Sequence, residues 1–512
     1  MTIPLRVVLC AALVLAAPAR QAALTSAQSC ESLASLTLPD TTITLGQVVA
    51  AGAFVLPGAG GRSAQPTDVQ KNLPAFCRVA ATLRPTGDSE IKVEVWMPAS
   101  GWNGKFQAVG NGGWAGSIGY AAMMDALTRG YATAGTDTGH SGGGAFALGH
   151  PEKLIDYAYR SEHEMAAKAK AVVAAFYGAA PKLSYWTGCS AGGKQGLMEA
   201  QRYPADFDGI VAGSPAADWT GRALSAIRVA AAAHIDEASY IPPAAYPMIH
   251  AAVLQQCDAA DGVKDGLLEN PSTCAFDPGV LACKAGGDGA NCLTAPQVTA
   301  ARAIYASVVS AATKRTIPGL ARGSELGWAT WAGPQPLGIA YEHFRYVVFK
   351  DPSWDFHRFR ADTDVPRADE TDAGVLNALN PNLKPFFDRG GKLIQYHGWS
   401  DPQISPFSSV QYFQSVADRL GGAAKIEKSY RLFMVPGMGH CSGGEGPNSF
   451  DALGALEQWV EQKKAPERLI ASRLRGGQVE RTRPLCPFPQ VAVHDGKGSI
   501  DDAASFSCRV GR

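Results

Sequence analysis

The sequence has 512 residues, and its 46 basic and 46 acidic side chains give a formal net charge of zero. Hydrophobic residues make up 46% and charged residues 18%, the composition of an ordinary globular protein with enough apolar material for a large core. No basic stripe is present, which argues against a nucleic-acid partner. The length suggests several domains, or one core that carries an insertion.

Residues 1–23 have the pattern of a secretory signal peptide. Arg6 supplies the positive charge, Val7 to Ala17 the apolar segment, and Ala17-Pro18-Ala19 a cleavage pattern, with cutting after Ala23 as an alternative. A membrane anchor is excluded because this apolar run is too short to span a bilayer, and no later stretch is long enough. We therefore predict export to the periplasm or the medium.

The next elements are predicted strands. Residues 24–100 are β-rich, and Ile91 to Met97 alternates apolar and polar side chains as a half-buried strand does. Lys105 to Val109 predicts a further strand that runs into a glycine-rich turn at residues 110–113. This turn is either an ordinary hairpin or a loop whose backbone approaches a ligand closely.

A predicted strand, a tight glycine turn and a helix surround Ser190. The helix Ser161 to Tyr177 leads to an apolar run from Leu183, then to the G-x-S-x-G pentapeptide at residues 188–192 and a second helical pattern. This order predicts the nucleophile elbow of an α/β-hydrolase, with Ser190 exposed above the sheet. A second match at residues 139–143 has no following helix pattern and predicts a loop.

Strands and helices alternate on both sides of a long interruption. The alternation predicts a parallel sheet and an α/β fold, with residues 24–220 as the first part of the core and 390–512 as the second. Residues 221–389 break this rhythm, and we predict that they form a large inserted lid domain. The tail from Arg483 onward is predicted to be a small appendage held by a disulfide.

A serine nucleophile requires a histidine base and a carboxylate, and in this fold they follow in the order serine, acid, histidine. Asp401 and His440 each lie in a loop directly after a predicted strand, where sites form in parallel sheets. We predict that they complete the triad. The alternative is a turn acid and a surface histidine, and the competing histidines are His140, His163 and His397.

The oxyanion of the reaction needs two amide donors. The N–H of Ala191, at the start of the helix after the nucleophile, is one candidate. The second is predicted to come from Gly112 or Gly113 in the glycine-rich turn.

Ten cysteines remain after removal of Cys10 with the signal peptide, and an even number in an exported chain predicts five disulfides. The absence of a C-x-x-C pair argues against structural zinc. Connectivity is not determined by the sequence, although Cys257/Cys274, Cys283/Cys292 and Cys486/Cys508 are plausible local pairs. Cys189 and Cys441 adjoin Ser190 and His440, so a bridge between them would hold nucleophile and base together. Cys30 and Cys77 would then form the last pair.

Together, Cys189-Ser190, Asp401 and His440-Cys441 resemble the Cys-Ser/Asp/His-Cys arrangement of the tannase and feruloyl esterase family. The segments RGGKLIQYHGWSD and RLFMVPGMGHCSGG extend the resemblance over nearly the whole mature chain. It implies an α/β-hydrolase with a lid, activity on esters of aromatic acids such as ferulate and gallate, and the Cys189–Cys441 bridge. The family includes a hydrolase of mono(2-hydroxyethyl) terephthalate.

The resemblance also implies a structural calcium site in the lid. Carboxylates with interleaved carbonyls suit this hard cation, and the spacing differs from that of an EF-hand. The implied ligands are the side chains of Asp258, Asp261 and Asp265 and the carbonyls of Val263 and Leu267.

The sequence therefore predicts a secreted serine esterase that forms an acyl-enzyme on Ser190 and acts on a small aromatic ester. The alternatives are activity on mono(2-hydroxyethyl) terephthalate, a secreted serine peptidase, and a secreted binding protein without catalysis. The oligomeric state is left open. Five lid aromatics form either a slot for the substrate ring or the core of the lid: Trp328, Trp331, Tyr341, Phe344 and Tyr346.

Overall fold

The computed structural model describes residues 27–57, 67–284, 291–310, 313–372 and 374–511. The predicted signal peptide, residues 1–23, lies outside them. None of the helices in these ranges is long and apolar enough to cross a membrane.

A nine-stranded mixed sheet forms the centre of the molecule, in the order β1-β2-β3-β5-β4-β6-β7-β10-β11. The strands of the described residues are β1 (Thr41–Val49), β2 (Phe76–Leu83), β3 (Ile91–Pro98), β4 (Lys105–Val109), β5 (Ala132–Thr136), β6 (Leu183–Cys189), β7 (Gly209–Gly213), β8 (Val308–Val309), β9 (Thr316–Ile317), β10 (Lys392–Gly398), β11 (Tyr430–Val435), β12 (Leu469–Arg475), β13 (Gln478–Leu485), β14 (Gln490–His494) and β15 (Phe506–Val510).

The strands from β5 to β11 in this order pair in parallel, whereas β1, β2, β3 and β5 pair antiparallel. Parallel neighbours need crossover connections, which are helical here. The α-helices are α1 (Asp68–Lys71), α2 (Tyr120–Thr128), α3 (Pro151–Ile155), α4 (Ser161–Tyr177), α5 (Ala191–Arg202), α6 (Trp219–Ala233), α7 (Tyr246–Cys257), α8 (Ala295–Tyr305), α9 (Ala329–Ala332), α10 (Gly338–Glu342), α11 (Ala361–Asp372), α12 (Lys384–Asp388), α13 (Phe407–Leu420), α14 (Ala423–Ile426) and α15 (Ala452–Gln462).

The sheet is covered on both faces because its central strands are apolar on both sides. Every residue of β5 and β7 is buried. This is the pattern of a strand between two helical layers. The predicted parallel α/β core is therefore confirmed, with an antiparallel N-terminal part.

The chain between β7 and β10 has an apolar core of its own. Trp328, Trp331 and Phe344 are buried within it. Tyr341 packs against the same core, and Tyr346 is half-buried. Of the two alternatives for these aromatics, the structure therefore supports core packing for Trp328, Trp331 and Phe344.

All five disulfides are present: Cys30–Cys77, Cys189–Cys441, Cys257–Cys274, Cys283–Cys292 and Cys486–Cys508. The last joins the hairpin β14–β15 to the residue that follows β13.

Candidate active site

Ser190 lies in the sharp turn between β6 and α5, with φ 64° and ψ −122°. A non-glycine residue in this region is strained, and such strain concentrates at functional sites. The turn is tight enough that a Cβ on Gly188 would lie 2.4 Å from the carbonyl oxygen of Gly192. The sequence therefore needs glycine there, and the turn has the geometry predicted for a nucleophile elbow.

The loop after β4 is fastened to the start of α5. The Gln195 side chain donates to Asn111 Oδ1 at 2.7 Å and accepts from the Asn111 amide at 3.2 Å. A Cβ on Gly110 would lie 2.5 Å from the Cα of Gly192, so the two backbones are in close contact. This contact places the glycine-rich turn beside the nucleophile elbow.

Both predicted glycines remain candidates for the second oxyanion donor. The carbonyl of Gly112 accepts from Ala115 at 2.8 Å, and that of Gly113 accepts from the Tyr157 hydroxyl at 2.7 Å. In the described ranges neither glycine amide donates a hydrogen bond to the protein. The Ala191 amide is the first of α5 and has no partner within the helix.

Asp401 and His440 are in direct contact, with 2.7 Å between Asp401 Oδ2 and His440 Nδ1. The Asp401 side chain is fully buried, whereas the His440 side chain is 13% exposed. Burial acts to raise the pKa of Asp401, but hydrogen bonds from His397 and His440 outweigh it and hold that pKa well below its usual range. The carboxylate is therefore ionised and suited to orient the imidazole.

The bridge between Cys189 and Cys441 joins the residue before Ser190 to the residue after His440. Their Cα atoms are 5.9 Å apart. Among the described residues neither Ser190 Oγ nor His440 Nε2 has a hydrogen-bond partner. This is common before substrate binds, because catalytic hydrogen bonds tighten in the substrate complex.

The competing histidines have other partners. His140 is buried, bonds to the Trp114 carbonyl and stacks on Phe146, and burial lowers its pKa. His163 pairs with Asp206 at 2.6 Å. The second pentapeptide is a loop with exposed Ser141, as predicted.

His397, which the sequence presented only as a competitor, contacts the predicted acid. Its Nε2 lies 3.1 Å from Asp401 Oδ2. Its position in β10 four residues before Asp401 gave no signal of this contact. Only the turn that follows β10 brings the two side chains together.

An aromatic cluster that the sequence pattern did not predict packs around Ala191. It contains Trp114, Tyr157 and Trp219, and the rings of Trp114 and Trp219 are 4.8 Å apart. Arg222 on α6 lies over Trp219 at 4.8 Å, and burial lowers its pKa to about 10. The available signal was the position of Trp114 directly after the glycine-rich turn.

The predicted calcium loop folds back on itself. Asp258 accepts from the amides of Asp265 and Gly266, and Asp261 from those of Val263 and Glu269. Burial raises the pKa of Asp261 to about 6, and the charges of Asp265 and Asp258 add to the increase. Clustered carboxylates and carbonyls have the donor chemistry that suits a hard cation.

The orientation of these carboxylates differs from that of a formed metal site. Asp265 also pairs with Arg483. Within the residues that the structure describes, no three acidic, histidine or cysteine side chains are grouped so that they could hold one ion. A carboxylate that accepts from a backbone amide keeps lone pairs for a cation, so these contacts do not exclude calcium. The site stays a prediction.

Comparison with known proteins places this fold in one family. The family model described as "Tannase and feruloyl esterase" matches residues 77–509. The crystal structure of feruloyl esterase B from Aspergillus oryzae superposes with a TM-score of 0.88 at 31% identity, covering 94% of this chain and 99% of that one.

The curated relatives of this chain agree with the family match. An uncharacterized esterase from Xanthomonas campestris pv. campestris is 39% identical over 94% of this chain and 91% of its own length. A probable feruloyl esterase B-2 from Aspergillus terreus is 34% identical over 85% of this chain and 86% of its own. Neither these relatives nor the superposed structure supports the terephthalate-ester alternative. The chain belongs to the tannase and feruloyl esterase family and is a carboxylic ester hydrolase with an α/β-hydrolase fold.

Proposed function

We propose that the protein is an exported serine esterase that releases aromatic acids of the feruloyl or galloyl type from their esters, through an acyl-enzyme on Ser190. The observation that carries the proposal is the joining of the Ser190 turn to the His440 loop by Cys189–Cys441, with His440 Nδ1 2.7 Å from the buried Asp401 carboxylate.

The chemistry begins with proton transfer. Because Nδ1 of His440 donates to Asp401, Nε2 is left as the acceptor for the Ser190 proton. The Ser190 oxygen then attacks the ester carbonyl, and the same imidazole protonates the leaving alcohol. Water then attacks the acyl carbonyl and gives a proton to His440. The bond to Ser190 breaks, His440 returns the proton to the Ser190 oxygen, and the acid leaves.

Negative charge on the carbonyl oxygen is stabilised by the Ala191 amide and by the amide of Gly112 or Gly113. An oxyanion donor of this kind contributes about 3 kcal/mol to the transition state. The Asn111–Gln195 pair supports this arrangement because it holds the glycine-rich turn against α5. Preorganised donors of this kind need no rearrangement during the reaction.

The aromatic class of substrate is supported by the names of the relatives. The Trp114, Tyr157 and Trp219 cluster beside Ala191 is buried and supports the helix start as core packing. The relatives from Aspergillus carry the name feruloyl esterase. Five disulfides, which persist in oxidising compartments, support export.

We also propose that Ca²⁺ binds the loop at residues 258–267 and stabilises it, held by Asp258, Asp261 and Asp265 and by the carbonyls of Val263 and Leu267. When bound, the ion supplies charge compensation for three clustered carboxylates and takes no part in the ester chemistry.

The test measures hydrolysis of methyl ferulate and methyl gallate by the wild type, Ser190→Ala and Ser141→Ala, with products quantified. Ser141 is the matched control because it belongs to the second pentapeptide but lies in an exposed loop. We expect Ser190→Ala to lose turnover by at least three orders of magnitude and to resist fluorophosphonate labelling, and Ser141→Ala to retain both. Turnover by Ser190→Ala at the wild-type rate would refute the assignment, and casein hydrolysis without ester hydrolysis would favour a peptidase.

A further inference from the structure

The Asp401 carboxylate is held by four hydrogen-bond donors, two on each oxygen. Oδ1 accepts from the amides of Gln403 at 2.8 Å and Ile404 at 3.0 Å. Oδ2 accepts from His440 Nδ1 at 2.7 Å and from His397 Nε2 at 3.1 Å. The oxygen that orients the base is therefore shared by two imidazoles.

The hydrogen-bond partners of His397 determine which of its ring nitrogens carries the hydrogen. Nε2 also lies 3.1 Å from the carbonyl oxygen of Ile404. A carboxylate and a carbonyl can only accept, so Nε2 must carry a hydrogen. On the other side, Nδ1 lies 2.7 Å from Ser409 Oγ in α13, and a hydroxyl can donate to or accept from this nitrogen.

We infer that His397 is a positioning residue for ester hydrolysis: its Nε2–H holds Asp401 Oδ2 in the orientation that accepts Nδ1–H of His440. The inference rests on the proposed function, because it takes His440 as the base. With Nδ1 held protonated in this way, Nε2 of His440 is left as an acceptor for the Ser190 proton. His397 does not touch the reacting atoms and acts only through the acid.

The charged groups around Asp401 determine the effect of removing the hydrogen bond from His397. Asp401 faces His397 from β10, His440 from the loop after β11 and the buried Arg222 from α6. Removing the Nε2–H donor leaves Oδ2 with one donor and makes it a stronger acceptor for His440. This favours the protonated form of His440, which cannot take the Ser190 proton, so the acidic limb of the kcat/KM profile moves to higher pH.

Two substitutions distinguish the contribution of the Nε2 contact from that of the Nδ1 contact. The amide nitrogen of His397→Gln reaches the position of Nε2 and can donate to Asp401. His397→Asn places its amide at the position of Nδ1, where it keeps the contact with Ser409 and loses that with Asp401.

The experiment records pH profiles of kcat and KM on methyl ferulate for the wild type and both variants, with thermal unfolding as a check on folding. For His397→Asn we expect a roughly tenfold lower kcat, KM within about threefold, and an acidic limb about half a pH unit higher or more. For His397→Gln we expect the limb at its wild-type position and most of kcat retained.

Three outcomes would overturn the inference: an unmoved limb in His397→Asn, the same shift in both variants, or equal losses of kcat with no shift in either. The last would mean that the imidazole only fills space. Failure of the proposed function is distinguishable, because the wild type would then show no hydrolysis that depends on Ser190.

Discussion

Cys189 and Cys441 form a disulfide between residues 252 positions apart, with 5.9 Å between their Cα atoms. Cys189 neighbours Ser190, the proposed nucleophile, and Cys441 neighbours His440, the proposed base. Because the bond encloses the whole insertion between β7 and β10, a rearrangement of that insertion cannot separate Ser190 from His440. The covalent bond therefore holds the Ser190 turn and the His440 loop together independently of the packing of the insertion.

Loss of this bridge should reduce both stability and turnover. In the chain-entropy model its loop contributes about 5 kcal/mol to the free energy of unfolding, whereas that of Cys283–Cys292 contributes about 2.5 kcal/mol. We expect Cys189→Ala/Cys441→Ala to lower the unfolding temperature more than Cys283→Ala/Cys292→Ala, and only the first pair to lower kcat. Calorimetry and ester hydrolysis measure both, and equal kcat in the two double variants would contradict the prediction.

Replacement of the acid should affect catalysis far more than substrate binding. Asp401→Asn keeps an acceptor for the Gln403 and Ile404 amides but removes the charge that stabilises protonated His440. We expect kcat on methyl ferulate to fall by about 10³–10⁴, with KM little changed. Asp388→Asn, at an exposed carboxylate on α12, is the control and should be unaffected.

A second histidine network connects the insertion to the loop that follows β11 and contains His440. His250 on α7 contacts Glu325 at 2.7 Å and Glu445 at 3.0 Å. Glu445 lies five residues after His440, and its amide bonds to the Gly437 carbonyl. Burial lowers the pKa of His250, but hydrogen bonds and charge from the two glutamates outweigh it and raise that pKa to about 9.

This network should make stability dependent on pH. The folded-state pKa lies above the unfolded value of about 6.5, so the stabilisation is complete below pH 6.5 and is lost as the pH rises through 9. Because solvent screens the half-exposed Glu445, the network contributes only about 1–2 kcal/mol to the free energy of unfolding.

His250→Gln should remove this contribution. We expect its unfolding temperature to be below that of the wild type at pH 6 and to approach it at pH 10. His357→Gln, at an exposed histidine paired with Asp355, is the control. A difference between His250→Gln and the wild type that does not change with pH would rule out the ion pair as its source.

Removal of calcium from the loop at residues 258–267 should lower the free energy of unfolding of the wild type. Ligand at a thousand times its dissociation constant contributes about 4 kcal/mol, so EDTA should lower the unfolding temperature and added Ca²⁺ should restore it. Asp261→Asn should abolish the calcium response, whereas Asp362→Asn, at an exposed acid of α11, should keep it. An EDTA-insensitive wild type would show that the loop binds no calcium.

Much of the core could be predicted from the sequence because its elements depend on periodicity, glycine sterics and proximity along the chain. The α4 helix matches its predicted bounds, and the β6 strand with the turn at Ser190 follows from glycines that no other residue can replace sterically. The pairs Cys257–Cys274, Cys283–Cys292 and Cys486–Cys508 were predictable from proximity along the chain. The roles of Ser190, Asp401 and His440 stay predictions until activity is measured.

The amino-acid pattern alone determined the sharp turn at Ser190 and the strand-helix alternation, because both depend on steric or periodic constraints within a few residues. The packed structure decided that His397 shares an oxygen of Asp401, that His250 joins the insertion to the His440 loop, and that Trp114 meets Trp219 beside Ala191. Hydrogen bonds and ring contacts form wherever atoms come within reach, and only the folded path of the chain sets those distances.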